Sequence, residues 1–93
     1  MLIPNRPRVR PDLIFREIEG DFVLYDPVTD RTALLNASAA AILDLCDGSR
    51  TLDDITMEIV RRFDAGKESV GQEVEKVLRK VASRGLLERA TEQ

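Results

Sequence analysis

The side chains able to do chemistry in this chain are few. Its 93 residues hold one cysteine, Cys46, and no histidine. Activated nucleophiles commonly need an imidazole base, and nitrogen–sulfur metal sites need several His or Cys ligands. Neither can be assembled from this inventory. Cys46 closes the apolar run "AAILDLC", a setting in which a thiol behaves as a small hydrophobe. The 17 Asp and Glu and 14 Lys and Arg are interleaved along helix faces, as on a solvated surface. The expectation is a chain that is not an enzyme by itself, with no cofactor and no tight metal site.

Two sets of cations remain. Arg6, Arg8 and Arg10 alternate with Pro4, Pro7 and Pro11 in "MLIPNRPRVRPD". Proline favours polyproline-like extension, so residues 1–12 read as an extended arm. The arm could meet an acidic partner, but a frayed terminus is the simpler reading. The second set is Lys76, Arg79, Lys80 and Arg84, set against Glu73 and Glu75. It could meet acidic groups or simply face water.

The net charge of −3 gives no global attraction to nucleic acid or to an anionic membrane, and neither is expected as a partner. No apolar run approaches the roughly 18 residues of a membrane span. The N-terminus lacks the apolar core of a signal peptide, and an unpaired cysteine fits a reducing compartment. A cytoplasmic location is therefore expected.

The elements that must position these residues follow from local pattern. "LIFREI" and "FVLYD" have the β-branched and aromatic content of strands, and Glu19-Gly20-Asp21 between them suits a hairpin. After "DPVTD", with Pro27 at a turn position, "RTALL" forms a third strand. Both faces of the second strand are apolar, Phe22 and Leu24 on one and Val23 and Tyr25 on the other. One of them needs a cover or stays exposed.

Asn36 is placed to cap a first helix over residues 37–46, with Gly48 as a left-handed stop. Thr51 and Asp54 form a capping box for a second helix striped by Leu52, Ile55, Ile59, Val60 and Phe63. Ser69 with Gln72 should cap a third helix, whose stripe is Val70, Val74, Val77, Leu78 and Val81 and whose stop is Gly85. "LLER" can fold back to close the core. The order β-β-β-α-α-α predicts a small α+β domain over 13–89, preceded by the arm 1–12 and followed by a tail at 90–93.

The runs "VLYDP", "LLNASAAAILDLCDGSRTLDDITMEIVRRFDAG" and "EVEKVLRKVASRGLL" resemble the PqqD family, named for protein D of pyrroloquinoline quinone biosynthesis. The resemblance spans residues 13–88 and is most specific from Leu35 to Thr51. It implies a winged-helix-like fold of three antiparallel strands followed by three helices. It also implies a leader-recognition role: binding the leader of a ribosomally made precursor peptide and delivering it to a radical S-adenosylmethionine enzyme. The longer hairpin "YDPVTDRTALLN" resembles PqqD-like proteins of other peptide-modifying systems.

A three-stranded meander leaves its third strand at an edge, where an extended peptide can add as a fourth strand. The resemblance places the leader between that strand and the third helix. The strand wall is then Arg31, Thr32, Ala33, Leu34 and Leu35, and the helix wall is drawn from Val70, Val74, Val77, Leu78 and Val81. For each of these helix residues a core role is an equal alternative. The first helix, in this scheme, is scaffold and does not touch the leader. Two rival readings remain: a winged helix that inserts its third helix into DNA, and a scaffold that forms a homodimer through its free edge strand.

Overall fold

Glu19 and Gly20 both adopt positive φ, 53° and 87°. This left-handed pair matches the twist of a two-residue hairpin and joins β1 (Ile14–Ile18) to β2 (Asp21–Asp26). A four-residue turn, steadied by a 2.6 Å hydrogen bond from the Tyr25 hydroxyl to Asp30 Oδ1, leads to β3 (Arg31–Leu35). The computed structural model describes residues 3–88. Arg89 and the expected tail at 90–93 lie outside them, as do Met1 and Leu2.

The sheet is antiparallel in the order β1-β2-β3, so β3 has an unpaired edge. Register places Arg31, Ala33 and Leu35 opposite Asp26, Leu24 and Phe22. Asp26 accepts a hydrogen bond from the Asp30 N–H across the turn, 2.8 Å, which turns the Asp26 carbonyl towards β3. Backbone groups alternate along an antiparallel strand. Arg31, Ala33 and Leu35 therefore bond inward to β2, while Thr32 and Leu34 direct their N–H and C=O outward.

Three helices follow: α1 (Ala37–Asp44), α2 (Leu52–Phe63) and α3 (Lys67–Ser83). Asn36 caps α1 as expected, its Oδ1 accepting from Ala39 N–H at 2.8 Å. The capping box of α2 is also present: Thr51 Oγ1 accepts from Asp54 N–H, and Asp54 Oδ2 accepts from Thr51 N–H. The third helix departs from expectation. Asp64 turns the chain through the left-handed region, so α3 starts at Lys67 with Gly66 as its cap, and Ser69 lies in its first turn. Its far end matches. Gly85, at φ 73°, donates to Ala82 C=O and Leu86 to Val81 C=O, the paired bonds of a Schellman ending.

The core is aliphatic. Leu24, Ile42, Ile55, Val74 and Leu78 are the most completely enclosed apolar side chains, each contributing about 1.5–3 kcal/mol by burial. The α2 stripe is shorter than its periodicity predicts: Ile55 and Ile59 are buried, Leu52 and Val60 half-buried, and Phe63 is exposed. Of β2, the Leu24 face lies on the helices, while Val23 and Tyr25 on the other face are half-buried. No helix among the described residues is long and apolar enough to cross a membrane.

The described part of the arm, residues 3–12, is docked on the domain and not frayed. It runs between the α1–α2 connection and the segment after α3, with bridges Arg8↔Asp47 and Val9↔Leu87. Val9 N–H donates to Cys46 C=O, Gly48 N–H to Pro7 C=O, Arg10 N–H to Leu86 C=O and Glu88 N–H to Arg8 C=O, at 2.7–3.1 Å. Pro7 is among the fully enclosed side chains. The prolines pre-set the extension, and the residues between them supply the N–H groups. Gly48 keeps its left-handed φ of 88° but stands beyond the helix end. There, a Cβ would come within 3.3 Å of the Arg8 side chain.

Candidate peptide-binding groove

Arg31 and Arg84 line one cavity together, while Leu35, Asn36 and Glu73 line only the groove that adjoins it. This groove, of about 480 Å³, lies between β3 and α3, and its strand wall is Thr32, Ala33, Leu34 and Leu35. Its helix wall is Glu73, Lys76, Val77, Lys80, Val81 and Arg84, with Leu86 closing the base. At the Arg84 end it adjoins a cavity of about 270 Å³, walled by Arg31, Asp26, Thr29 and Ser83 and sharing Thr32, Ala33, Arg84 and Leu86 with the groove.

The site residues expected from sequence divide into two sets. Arg31–Leu35 and Val77 and Val81 all line the groove or its adjoining cavity. Val70, Val74 and Leu78 do not: they are 6%, 1% and 0% exposed and belong to the core, to which Val81, 5% exposed, also contributes while bordering the groove. The reason is geometric. Helix rows i and i+4 share a face, and the row through residues 70, 74 and 78 lies in the core that α3 forms with α2 and α1. The wall is the adjacent row through residues 73, 76, 77, 80, 81 and 84. Lys76, Lys80 and Arg84 stand in that row, but Arg79 does not; it pairs with Glu75 at 2.6 Å. The helical period alone could have found Glu73 as well. Asn36 and, from α1, the buried Ala39 also line the groove.

Leu34 is 80% exposed on an edge strand, an unusual position for so apolar a residue in a chain this short of core. Ala33 and Leu35 face the helices and are half-buried against the core. The groove thus offers alternating outward and inward apolar contacts, along with the free backbone groups of Thr32 and Leu34.

The Asp26 carboxylate in the cavity wall is fully engaged. Arg10 Nη1 and Nη2 donate to its two oxygens at 3.1 and 2.9 Å, and Val28 N–H donates at 2.9 Å. These bonds, Arg10 first, hold Asp26 below the usual carboxylate range. Cys46 is buried, with Sγ donating to Ile42 C=O at 3.2 Å. Burial, aided by the neighbouring Asp47 charge, pushes its pKa up to about 12, leaving essentially no thiolate at neutral pH. Among the described residues no three His, Cys, Asp or Glu side chains are grouped as metal ligands would be.

An α+β domain with an open strand edge beside a helix-walled groove is a fold with known relatives. The family model for coenzyme PQQ synthesis protein D (PqqD) matches residues 21–87, and the chain belongs to that family. It is 31% identical over 71 residues to a PqqA binding protein of Rhizobium meliloti (strain 1021), covering 76% of this chain and 70% of that one. It is 30% identical over 89 residues to a PqqA binding protein of Rhodopseudomonas palustris (strain BisB5), covering 96% and 84%. Its fold matches the solution structure of the PqqD truncation of Methylobacterium extorquens PqqCD with a TM-score of 0.74 at 29% identity, over 89% of this chain and 88% of that one. That protein is described as a stand-alone recognition element for ribosomally synthesized and post-translationally modified peptides. Three antiparallel strands followed by three helices is thus the architecture of the family.

Proposed function

We propose that this chain is a non-catalytic binding module that captures the leader of a ribosomally made precursor peptide by strand addition at β3. The observation that carries the reading is the conjunction of two features: outward N–H and C=O groups at Thr32 and Leu34, and a groove of about 480 Å³ between β3 and α3. Backbone pairing supplies affinity, and the pockets for alternate side chains supply selectivity. The two PqqA binding proteins and the recognition element among its relatives support a peptide ligand.

Captured in this way, the leader is ordered on a rigid sheet while the rest of the precursor stays free for a second protein. The family resemblance supports a radical S-adenosylmethionine enzyme in that position, in the quinone pathway or a related one. Its cofactors would be its own, in keeping with a buried and protonated Cys46. DNA binding has less support, because the cations of α3 at Lys76, Lys80 and Arg84 wall a groove that β3 closes on one side.

The test is calorimetry of the purified chain with synthetic PqqA of Rhodopseudomonas palustris, alongside a double-stranded DNA of arbitrary sequence. Saturable one-to-one peptide binding supports the proposal. Binding of DNA alone, falling steeply with salt, would replace it.

A further inference from the structure

The groove is electrically lopsided in a chain that is acidic overall. Arg31, Lys76, Lys80 and Arg84 all border the groove or its adjoining cavity, and none forms an ion pair among the described residues. Elsewhere among the described residues, Arg8, Arg10, Arg50, Arg61, Arg62 and Arg79 are each paired with a carboxylate, whereas Arg6, Arg16 and Lys67 are not. The carboxylates around the Arg31 end are already engaged. Asp12 and Asp26 are held by Arg10, and Asp30 accepts from Tyr25. The single carboxylate of the long groove, Glu73, is at the opposite end.

Arg31 and Arg84 line the same cavity, and both are exposed. A guanidinium offers a carboxylate two parallel donors, and charge-assisted bonds of that kind are about twice as strong as neutral ones. We infer that the segment bound in this groove carries an aspartate or glutamate that seats between Arg31 and Arg84, with its uncharged or basic side directed towards Glu73. The inference rests on the proposed peptide-binding role and adds to it the charge and orientation of the ligand.

The experiment is a double-mutant cycle by calorimetry on the full chain, with the same synthetic PqqA and a peptide series in which each Asp or Glu is changed singly to Asn or Gln. Arg31→Gln and Arg84→Gln are the protein variants, and Arg79→Gln, on the same helix but off the groove, is the control. The expected result is that one peptide substitution weakens binding about tenfold, the size of one charge-assisted pair. That peptide should then lose nothing further to Arg31→Gln or Arg84→Gln, while Arg79→Gln leaves every affinity unchanged. If peptide binds and shifts the amides of residues 31–35, yet no carboxylate exchange couples to either arginine, the acidic seat is wrong and peptide capture stands. Coupling to Lys76 in place of the arginines, tested with Lys76→Gln, would reverse the orientation and likewise overturn the inference. Failure of the peptide to bind at all would overturn both readings.

Discussion

Arg10 and Asp26 face each other as a two-pronged ion pair, Nη2 to Oδ1 at 2.9 Å and Nη1 to Oδ2 at 3.1 Å. The same guanidinium donates to Gly85 C=O at 3.0 Å and to both oxygens of Asp12. One side chain thereby ties the arm to the end of β2 and to the stop of α3, the segments that flank the Arg31 end of the groove. Asp26 is 4% exposed, so removing its partner would leave a buried carboxylate uncompensated.

Arg10→Ala should therefore lower Tm clearly, whereas Arg6→Ala, which removes one exposed bond to Ser49 C=O, should move it by no more than about 2–4 °C, in keeping with surface changes within about 0.5 kcal/mol. Thermal unfolding followed by circular dichroism decides between them.

The same pair contributes to an acid limb, together with Asp47, Asp54 and Glu58, whose hydrogen bonds also hold them low. Asp26 and Asp12 are both held below their ordinary value of 3.8 by Arg10. A carboxylate with a depressed folded pKa binds protons more readily when unfolded, so its stabilisation is complete above the unfolded value. It is lost as pH falls below 3.8 through the depressed folded values. Denaturant midpoints should be flat from neutrality to about pH 5 and then drop. In Arg10→Ala that drop should be shallower, because the carboxylates no longer differ as much between states. An equally steep limb in the variant would place the linkage elsewhere.

How far the fold was legible depended on how local its determinants are. The caps at Asn36 and Thr51, the Glu19-Gly20 turn and the Gly85 stop each act within about five residues, and each is readable from residue type. The docking of the arm is not. Val9 bonds to Cys46 and Arg10 to Leu86, partners that no local pattern joins, and alternating Pro and Arg look the same in a frayed end. The start of α3 was displaced for a related reason: Asp64 in a left-handed conformation ended the preceding turn earlier than Ser69 could act. In the groove, the strand wall followed from the meander, but on α3 apolarity alone did not separate the row facing the core from the row beside it.

That separation is measurable. Leu78, fully enclosed, should cost about 2–5 kcal/mol on change to alanine. Val77, half-buried in the groove wall, should cost about 1 kcal/mol or less as alanine, in line with deletion of a few partly exposed methyl groups. Peptide affinity should respond in the opposite sense, with Val77→Ala weakening it. Urea unfolding and calorimetry on the two variants check both halves.

Cys46 should be chemically silent. With its pKa near 12 and its side chain buried, the folded protein at pH 8 should resist iodoacetamide for hours while the urea-unfolded chain is alkylated within minutes. Mass spectrometry reads the difference. Rapid modification of the folded protein would show that the α1–α2 connection opens readily and that the Cys46 thiol is available for chemistry.

Proline substitution tests the strand edge itself. Thr32→Pro and Leu34→Pro each delete an outward N–H, which an edge strand tolerates while an incoming strand does not. Either should weaken peptide binding by about tenfold or more, the loss of a backbone bond and its register, with the circular dichroism spectrum unchanged. Ala33→Pro strikes the inward ladder to Leu24 and should instead lower stability. Glu58→Ala on α2, remote from the groove, should leave affinity within about 0.5 kcal/mol.

The most direct measurement is amide hydrogen exchange, residue by residue, on the free chain and on the chain saturated with synthetic PqqA. Peptide capture at β3 predicts that the N–H groups of Thr32 and Leu34, open to water in the free protein, become strongly protected on binding. Those of Arg31, Ala33 and Leu35, already bonded to β2, should change far less. If the peptide binds while Thr32 and Leu34 exchange as fast as before, with new protection confined to residues 3–12 or to α2, strand addition at this edge is contradicted.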